Sequence, residues 1–300
     1  MKIRSTEITD TFAEAFKMSA ARIIITAESD YWAMAAAQSV TGFATSVIGC
    51  RCEAGIEKTL SPKETPDQRP GVSVLLFANS TKGVGNRLVE RIGQSVMTCP
   101  TTACFNGLDG TEEKFSVGEK LRYFGDGYQG SKVLNDRKMW RIPVMEGEFL
   151  IDDSFGIQAA VGGGNLLFLG KELSSTLQAA TAAAEAMRKL PNIILPMPGG
   201  VVRSGSKPGS RYKALPASTN DAFCPTLRGS APKTELGEDE ACVLEIVIDG
   251  LDESSVAEAM RQGMHAAVEA GGEGLARITA GNYGGNLGQY KIGLHPLLQD

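Results

Sequence analysis

The chain has 300 residues and a formal net charge of −5, with 30 Lys and Arg against 35 Asp and Glu. That balance argues against nucleic acid or an acidic membrane surface as a main partner, and no apolar run approaches the ~18 residues a membrane helix needs. The six cysteines form neither a disulfide framework nor a zinc spacing, and MKIRSTEITD has no apolar leader, so reduced thiols in a cytoplasmic protein without a metal site are expected.

In chain order, the length corresponds to about two domains. A strand is expected at 20–28, then a helix at 29–42 between Ser29 as cap and Gly42 as stop. A strand at 44–52 and a proline-rich connector, 61-SPKETPDQRPG-71, follow; strand 72–79, helix 81–97 and a strand near 117–124 close the first half. The second half repeats the order. Strand 157–169 leads to helix 174–190 and strand 193–203; a long irregular section then precedes strand 241–250, helix 252–271 and strand 275–283.

Each half therefore reads as β-α-β, connector, β-α-β. The expected fold is α+β: two ferredoxin-like (split β-α-β) lobes from an internal duplication, with antiparallel sheets and helices on one face. The lobes would be residues 1–150 and 151–300, meeting near 146-EGEFLIDDSFGI-157.

One residue breaks the apolar pattern. In 241-ACVLEIVIDG-250, Glu245 stands among Cys242, Val243, Leu244, Ile246, Val247 and Ile248. Either the strand is an edge from which the side chain reaches water, or the carboxyl is buried and shifts its pKa to stay neutral. Alternation puts Val243, Glu245 and Val247 on one face and Leu244, Ile246 and Ile248 on the other. An apolar outer face carrying one carboxylate fits a covered binding surface.

Dinucleotide, phosphate-loop and nucleophile-elbow fingerprints are absent, and two histidines give weak support to any triad. Three segments stand out. Phe124 and Tyr128 flank Asp126 in 124-FGDGYQG-130, which a β-turn also explains. Arg203, Lys207 and Arg211 lie in 199-GGVVRSGSKPGSRY-212, a composition that suits anionic ligand tails and equally a solvated loop. Ser218, Thr219 and Asn220 offer hydrogen-bonding groups in 217-ASTNDAFCPT-226, or simply a turn.

Taken together, 10-DTFAEAF-16, 41-TGFATSVI-48, 64-ETPDQRPGV-72, 91-RIGQSVMT-98, 124-FGDGYQ-129, 146-EGEFLIDDSFGI-157, 216-PASTNDAFCPT-226, 245-EIVIDGL-251 and 280-AGNYGGNLGQY-290 resemble the formylmethanofuran–tetrahydromethanopterin formyltransferase family. The resemblance implies an enzyme without a prosthetic group, moving a formyl group reversibly between methanofuran and tetrahydromethanopterin, which act as coenzyme substrates. It implies a dimer-based homotetramer with methanofuran in a cleft at a subunit interface and, in methylotrophic bacteria, membership of a formyltransferase–hydrolase complex. It also implies that Glu245 is the main catalytic group and that Ser218, Thr219 and Asn220 lie near the reaction. The contrasting expectation is a ligand-binding or scaffolding subunit without chemistry.

Overall fold

The computed structural model describes residues 1–134 and 136–299, leaving Asn135 and Asp300 outside it. The fold is mixed α/β, with a large, mostly antiparallel sheet and helices. The chain divides into two compact units. The first is Lys17–Ala160 with Gly250–Asp252, and the second is Met1–Phe16, Val161–Asp249 and Glu253–Asp300.

The main elements are β1 (Phe12–Thr26), α1 (Asp30–Thr41), β2 (Glu53–Leu60), β3 (Gly71–Ala78), α2 (Thr81–Arg91), β4 (Ala103–Asn106), β5 (Gly130–Leu134), β6 (Arg137–Val144), β7 (Gly147–Asp152), β8 (Phe155–Gly170), α3 (Leu173–Met187), β9 (Ile193–Ile194), β10 (Cys242–Gly250), α4 (Glu253–Gly271) and β11 (Leu275–Thr279).

In the first unit the strand order is β2-β3-β1-β4-β7-β6-β5. Every residue of β3, GVSVLLFA, is buried, as its unbroken apolar run dictates. Helix α1 turns Ala33, Ala36, Ala37 and Val40 inward, the i, i+3, i+4, i+7 stripe of an amphipathic helix.

In the second unit β11, β8, β10 and β9 are neighbours in that order. Helices α3 and α4 pack on one another through small residues. A Cβ at Gly263 would lie 2.0 Å from Met187 Cε, so a side chain there would force the Met187 tip to move. Leu244, Ile246 and Ile248 of β10 point into this core with Val256, Ala259, Met260 and Met264 of α4. No helix among the described residues is long and apolar enough to cross a membrane.

Several expected elements differ. The strand at 44–52 is a single helical turn, Val47–Cys50, ended by Arg51 at φ 64°; Ser46 caps it by accepting from Ile48 N–H, and the strand begins at Glu53. The strand near 117–124 is the short helix Val117–Leu121 and the turn Arg122–Gly125. The strand that follows α2 is instead β4, only four residues long. The strand at 193–203 stops after Ile194, because Pro196 and Pro198 have no N–H for a ladder. Beyond them only Val202 bridges to Glu245.

Candidate active site

Glu245 does not lie on an edge. Strand β10 pairs with β8 on one side and β9 on the other, so the edge alternative falls. The carboxyl emerges on the face opposite the helices, half-buried between half-buried Val243 and Val247. Its backbone makes a two-way bridge with Val202, N–H to carbonyl, at 2.7 and 2.9 Å.

This bridge brings the glycine-rich stretch after Val202 against the side chain. A Cβ on Gly205 would stand 2.7 Å from Glu245 Oε2, so a side chain there would push the carboxyl aside. A cavity of about 40 Å³ opens here, lined by Leu167, Val202, Arg203, Gly205, Thr219, Asn220, Phe223, Cys224, Val243, Leu244 and Glu245. It has room for a water molecule or a small polar group. Burial pushes the Glu245 carboxyl up to about 7, because the charged form is deprived of solvent and no ion pair or hydrogen bond from a described residue offsets that loss.

The basic run forms the neighbouring surface. Ser206–Pro208 pairs antiparallel with Ala217–Thr219, and Asn220 N–H closes the base of this hairpin on the Gly205 carbonyl at 2.9 Å. Lys207 Nζ donates to Asp221 Oδ1 at 2.5 Å, which holds the Asp221 carboxyl below its usual range. A second cavity, about 660 Å³, is lined by Lys207, Arg211, Tyr212, Ser218, Thr219 and Asp221 among others. Ser218 Oγ donates to the Gly209 carbonyl at 2.7 Å, so that hydroxyl also serves the turn.

The structure therefore gathers Glu245, Arg203, Thr219 and Asn220 at one cavity, and Lys207, Arg211, Ser218 and Thr219 at the next. Phe124, Asp126 and Tyr128 belong to the other unit. Asp126 takes φ 51° to end the turn Arg122–Gly125, which is the β-turn role the sequence left open. Phe124 and Tyr128 are exposed there. Phe124 borders an apolar cavity of about 790 Å³ with Met97, Cys99, Pro100, Met145 and Glu146.

Sequence reasoning missed Gly205, Phe223 and Cys224 at the first cavity. Only the density of glycines around 205 hinted at a close backbone approach. His265 is exposed on its helix, and no group of His, Cys, Asp and Glu among the described residues could hold a metal ion.

A sequence model for formylmethanofuran–tetrahydromethanopterin formyltransferase matches residues 1–144, and one for the proximal lobe of the same family matches residues 147–297. The chain belongs to this family. With it, the protein is an enzyme of the formyltransferase class. It is 55% identical to the formylmethanofuran–tetrahydromethanopterin formyltransferase of Methylococcus capsulatus, over 99% of this chain and 100% of that one. Two solved structures superpose closely. One is the formylmethanofuran:tetrahydromethanopterin formyltransferase of Methanosarcina barkeri, at TM-score 0.93 and 47% identity, covering 99% of this chain and 100% of that one. The other is in the formyltransferase/hydrolase complex of Methylorubrum extorquens with methylofuran, at 0.96 and 52%, covering 99% and 98%.

The Gly205 contact makes a prediction for this formyltransferase. Gly205→Ala should displace the carboxyl or the hairpin base, and if Glu245 belongs to the reacting centre, a misplacement of ~1 Å there can cost as much as ~10²-fold. A fall of about tenfold in kcat, with little change in thermal stability, is the expected outcome of steady-state assay and melting.

Proposed function

We propose that this protein transfers a formyl group reversibly between formylmethanofuran and tetrahydromethanopterin, with Glu245 as the catalytic acid. Attack of an amine on a formamide carbon generates a tetrahedral oxyanion, and donors aimed at that developing charge supply the largest catalytic contribution. A charged carboxylate repels an oxyanion, whereas a neutral carboxyl donates a hydrogen bond to it, as the protonated Asp of ketosteroid isomerase does. The observation that carries this reading is an unpaired carboxyl, pushed up to about 7 by burial, at the wall of a small cavity. At neutral pH a large fraction of Glu245 is then in the acid form, and amine attack requires no prosthetic group.

Arg203, Lys207 and Arg211 are assigned to the anionic tails of the two coenzymes, Ser218, Thr219 and Asn220 to the neighbourhood of the reaction, and Phe124, Asp126 and Tyr128 to coenzyme contact. Neutralising Arg203, Lys207 and Arg211 together should raise KM several-fold while kcat changes little, since such contacts act alike in ground and transition states. An unchanged KM removes them from the site.

We read each half as a ferredoxin-like lobe, with the boundary near residue 150 and residues 1–16 grouped with the second lobe. What supports this is the strand order: the β-α-β-β-α-β sequences run β2-β3-β1-β4 in the first unit and β11-β8-β10-β9 in the second, and both correspond to the split β-α-β arrangement. A cytoplasmic homo-oligomer completes the proposal.

The match to a formyltransferase/hydrolase complex favours one further possibility: partner subunits beside a homo-oligomer. Optical assay of the purified chain with both coenzymes tests catalysis directly. Transfer by the isolated chain supports the enzymatic reading. No transfer, alone or with added hydrolase subunits, leaves a ligand-binding or scaffolding role.

A further inference from the structure

One aromatic side chain in 217-ASTNDAFCPT-226 has no part in the chemistry so far, Phe223. It ends the short turn Asp221–Phe223 and lines the cavity of Glu245. That cavity, at about 40 Å³, holds little more than one water molecule, so each of its walls lies close to the carboxyl. Its apolar walls are Leu167, Val202, Phe223, Val243 and Leu244. Leu167 belongs to β8 and Val243 and Leu244 to β10, while Val202 is bridged to Glu245 itself. Phe223 is the one ring among them, and the one brought in by a turn rather than by a strand or a bridge.

The ring is half-buried and packs with Val243 against the buried cluster of Leu167, Leu169 and Leu236. Its backbone is fixed from two sides. Toward the hairpin, Phe223 N–H donates to the Asn220 carbonyl at 3.0 Å, and Asn220 N–H donates in turn to the Gly205 carbonyl. On the far side, the Ala222 carbonyl accepts from Glu235 N–H at 2.9 Å. Buried Glu240 secures that second segment, accepting from Arg277 Nε and Nη2 and from Gly237 N–H, each at 2.7 Å. Arg277 Nη2 also donates to the Glu235 carbonyl at 2.7 Å. These bonds bring Leu236 into the cluster on which the ring rests.

We propose that Phe223 is a positioning residue for the chemistry at Glu245, its ring forming the cavity wall that keeps water away from the carboxyl. The other walls not supplied by the sheet or by Val202 are Arg203, Gly205, Thr219, Asn220 and Cys224, small or polar groups that exclude water poorly. An aromatic ring brings a large apolar area to one place. A buried acid keeps its proton to the extent that water is denied to the ionised form.

The ionisable groups around Glu245 are few. To the cavity β8 gives only Leu167, and β10 gives Val243 and Leu244 besides Glu245 itself; β9 is Ile193 and Ile194. The 202–220 stretch offers exposed Arg203, and the 221–224 turn offers the Cys224 thiol. Asp221 on the same turn is paired with Lys207. On the loop after β11, burial raises the Tyr283 phenol and the charge of Glu245 raises it further, so it stays neutral wherever Glu245 titrates. All of these groups remain in a Phe223 variant, so a changed titration of Glu245 there reports the entry of water.

This proposal rests on the catalytic reading of Glu245, and the test separates the two. The readout, on the purified chain with both coenzymes, is the pH at which kcat/KM falls by half on the alkaline side. It does not depend on how much of a variant is folded. In Glu245→Gln that limb should vanish; if it persists, the reading of Glu245 fails. Where it vanishes, Phe223→Ala should move the wild-type limb about one pH unit or more toward lower pH, as rehydration of a buried acid requires. Phe223→Val, a smaller truncation, should move it in the same direction by less. Phe223→Tyr, which keeps the ring, should retain the wild-type limb. A wild-type limb in either truncation overturns the proposal and leaves the reading of Glu245 standing, as does a shift in Phe223→Tyr equal to that in Phe223→Ala.

Discussion

Glu245→Ala should lower the rate of formyl transfer by about 10²–10³-fold, the loss seen when one oxyanion-hole donor is removed. Glu245→Gln should lose less, because its amide retains N–H donors while its volume fills the same space. The wild-type rate should fall as pH rises through about 7, where the buried carboxyl gives up its proton. Each further unit then removes about nine-tenths of the acid form. Steady-state assay with both coenzymes checks all three outcomes. A near-normal rate in the alanine variant removes Glu245 from the mechanism.

The same burial makes Glu245 a cost to the fold. Its carboxyl is raised from 4.5 to about 7, so the folded chain holds this proton more tightly than the unfolded one. Below the unfolded value both states are protonated and there is no penalty. As pH rises from about 4.5 to about 7, the unfolded state gains the advantage of ionising in water and stability falls. One pKa unit is ~1.4 kcal/mol, so the full shift is on the order of 3 kcal/mol, less whatever solvent reaches the half-buried group. Glu245→Gln should therefore be the more stable protein above pH 7, with the two denaturation curves converging toward pH 4.5. Urea melts at about pH 5 and about pH 8 would show this. Equal midpoints on the alkaline side would mean that water already reaches the carboxyl. On the proposed mechanism, catalysis and stability pull in opposite directions at this residue.

Much of the architecture could be read from the residues because burial leaves a pattern. The apolar run of β3 and the alanine stripes of α1 and α3 name their own elements. Glu245 was legible for the opposite reason, as the single ionisable group at the centre of β10. Where the pattern misled, the signal was local and weak. Strand β4 is four residues long, and the meander β5-β6-β7 carries so many charged residues that its period is masked. The strand expected at 193–203 is cut short after Ile194 by the prolines that follow.

The site was legible only in part. Elsewhere in the same unit, Glu14 accepts backbone N–H groups from residues 269 to 274 positions away in the chain, and no spacing rule reaches that far. Likewise, nothing local to Gly205 says that its backbone meets Glu245. Conversely, the aromatic pair around Asp126 looked functional because turn chemistry and ligand contact use the same glycines and exposed rings.

The central claim concerns one proton. A carbon-detected NMR titration of the Glu245 carboxyl, assigned by difference against Glu245→Gln, measures it directly in the folded protein. A midpoint near 7 is the result expected of a carboxyl held neutral by its apolar surround. A midpoint near the ordinary glutamate value of about 4.3 would mean a hydrated carboxylate, and the acid-donor mechanism would not stand.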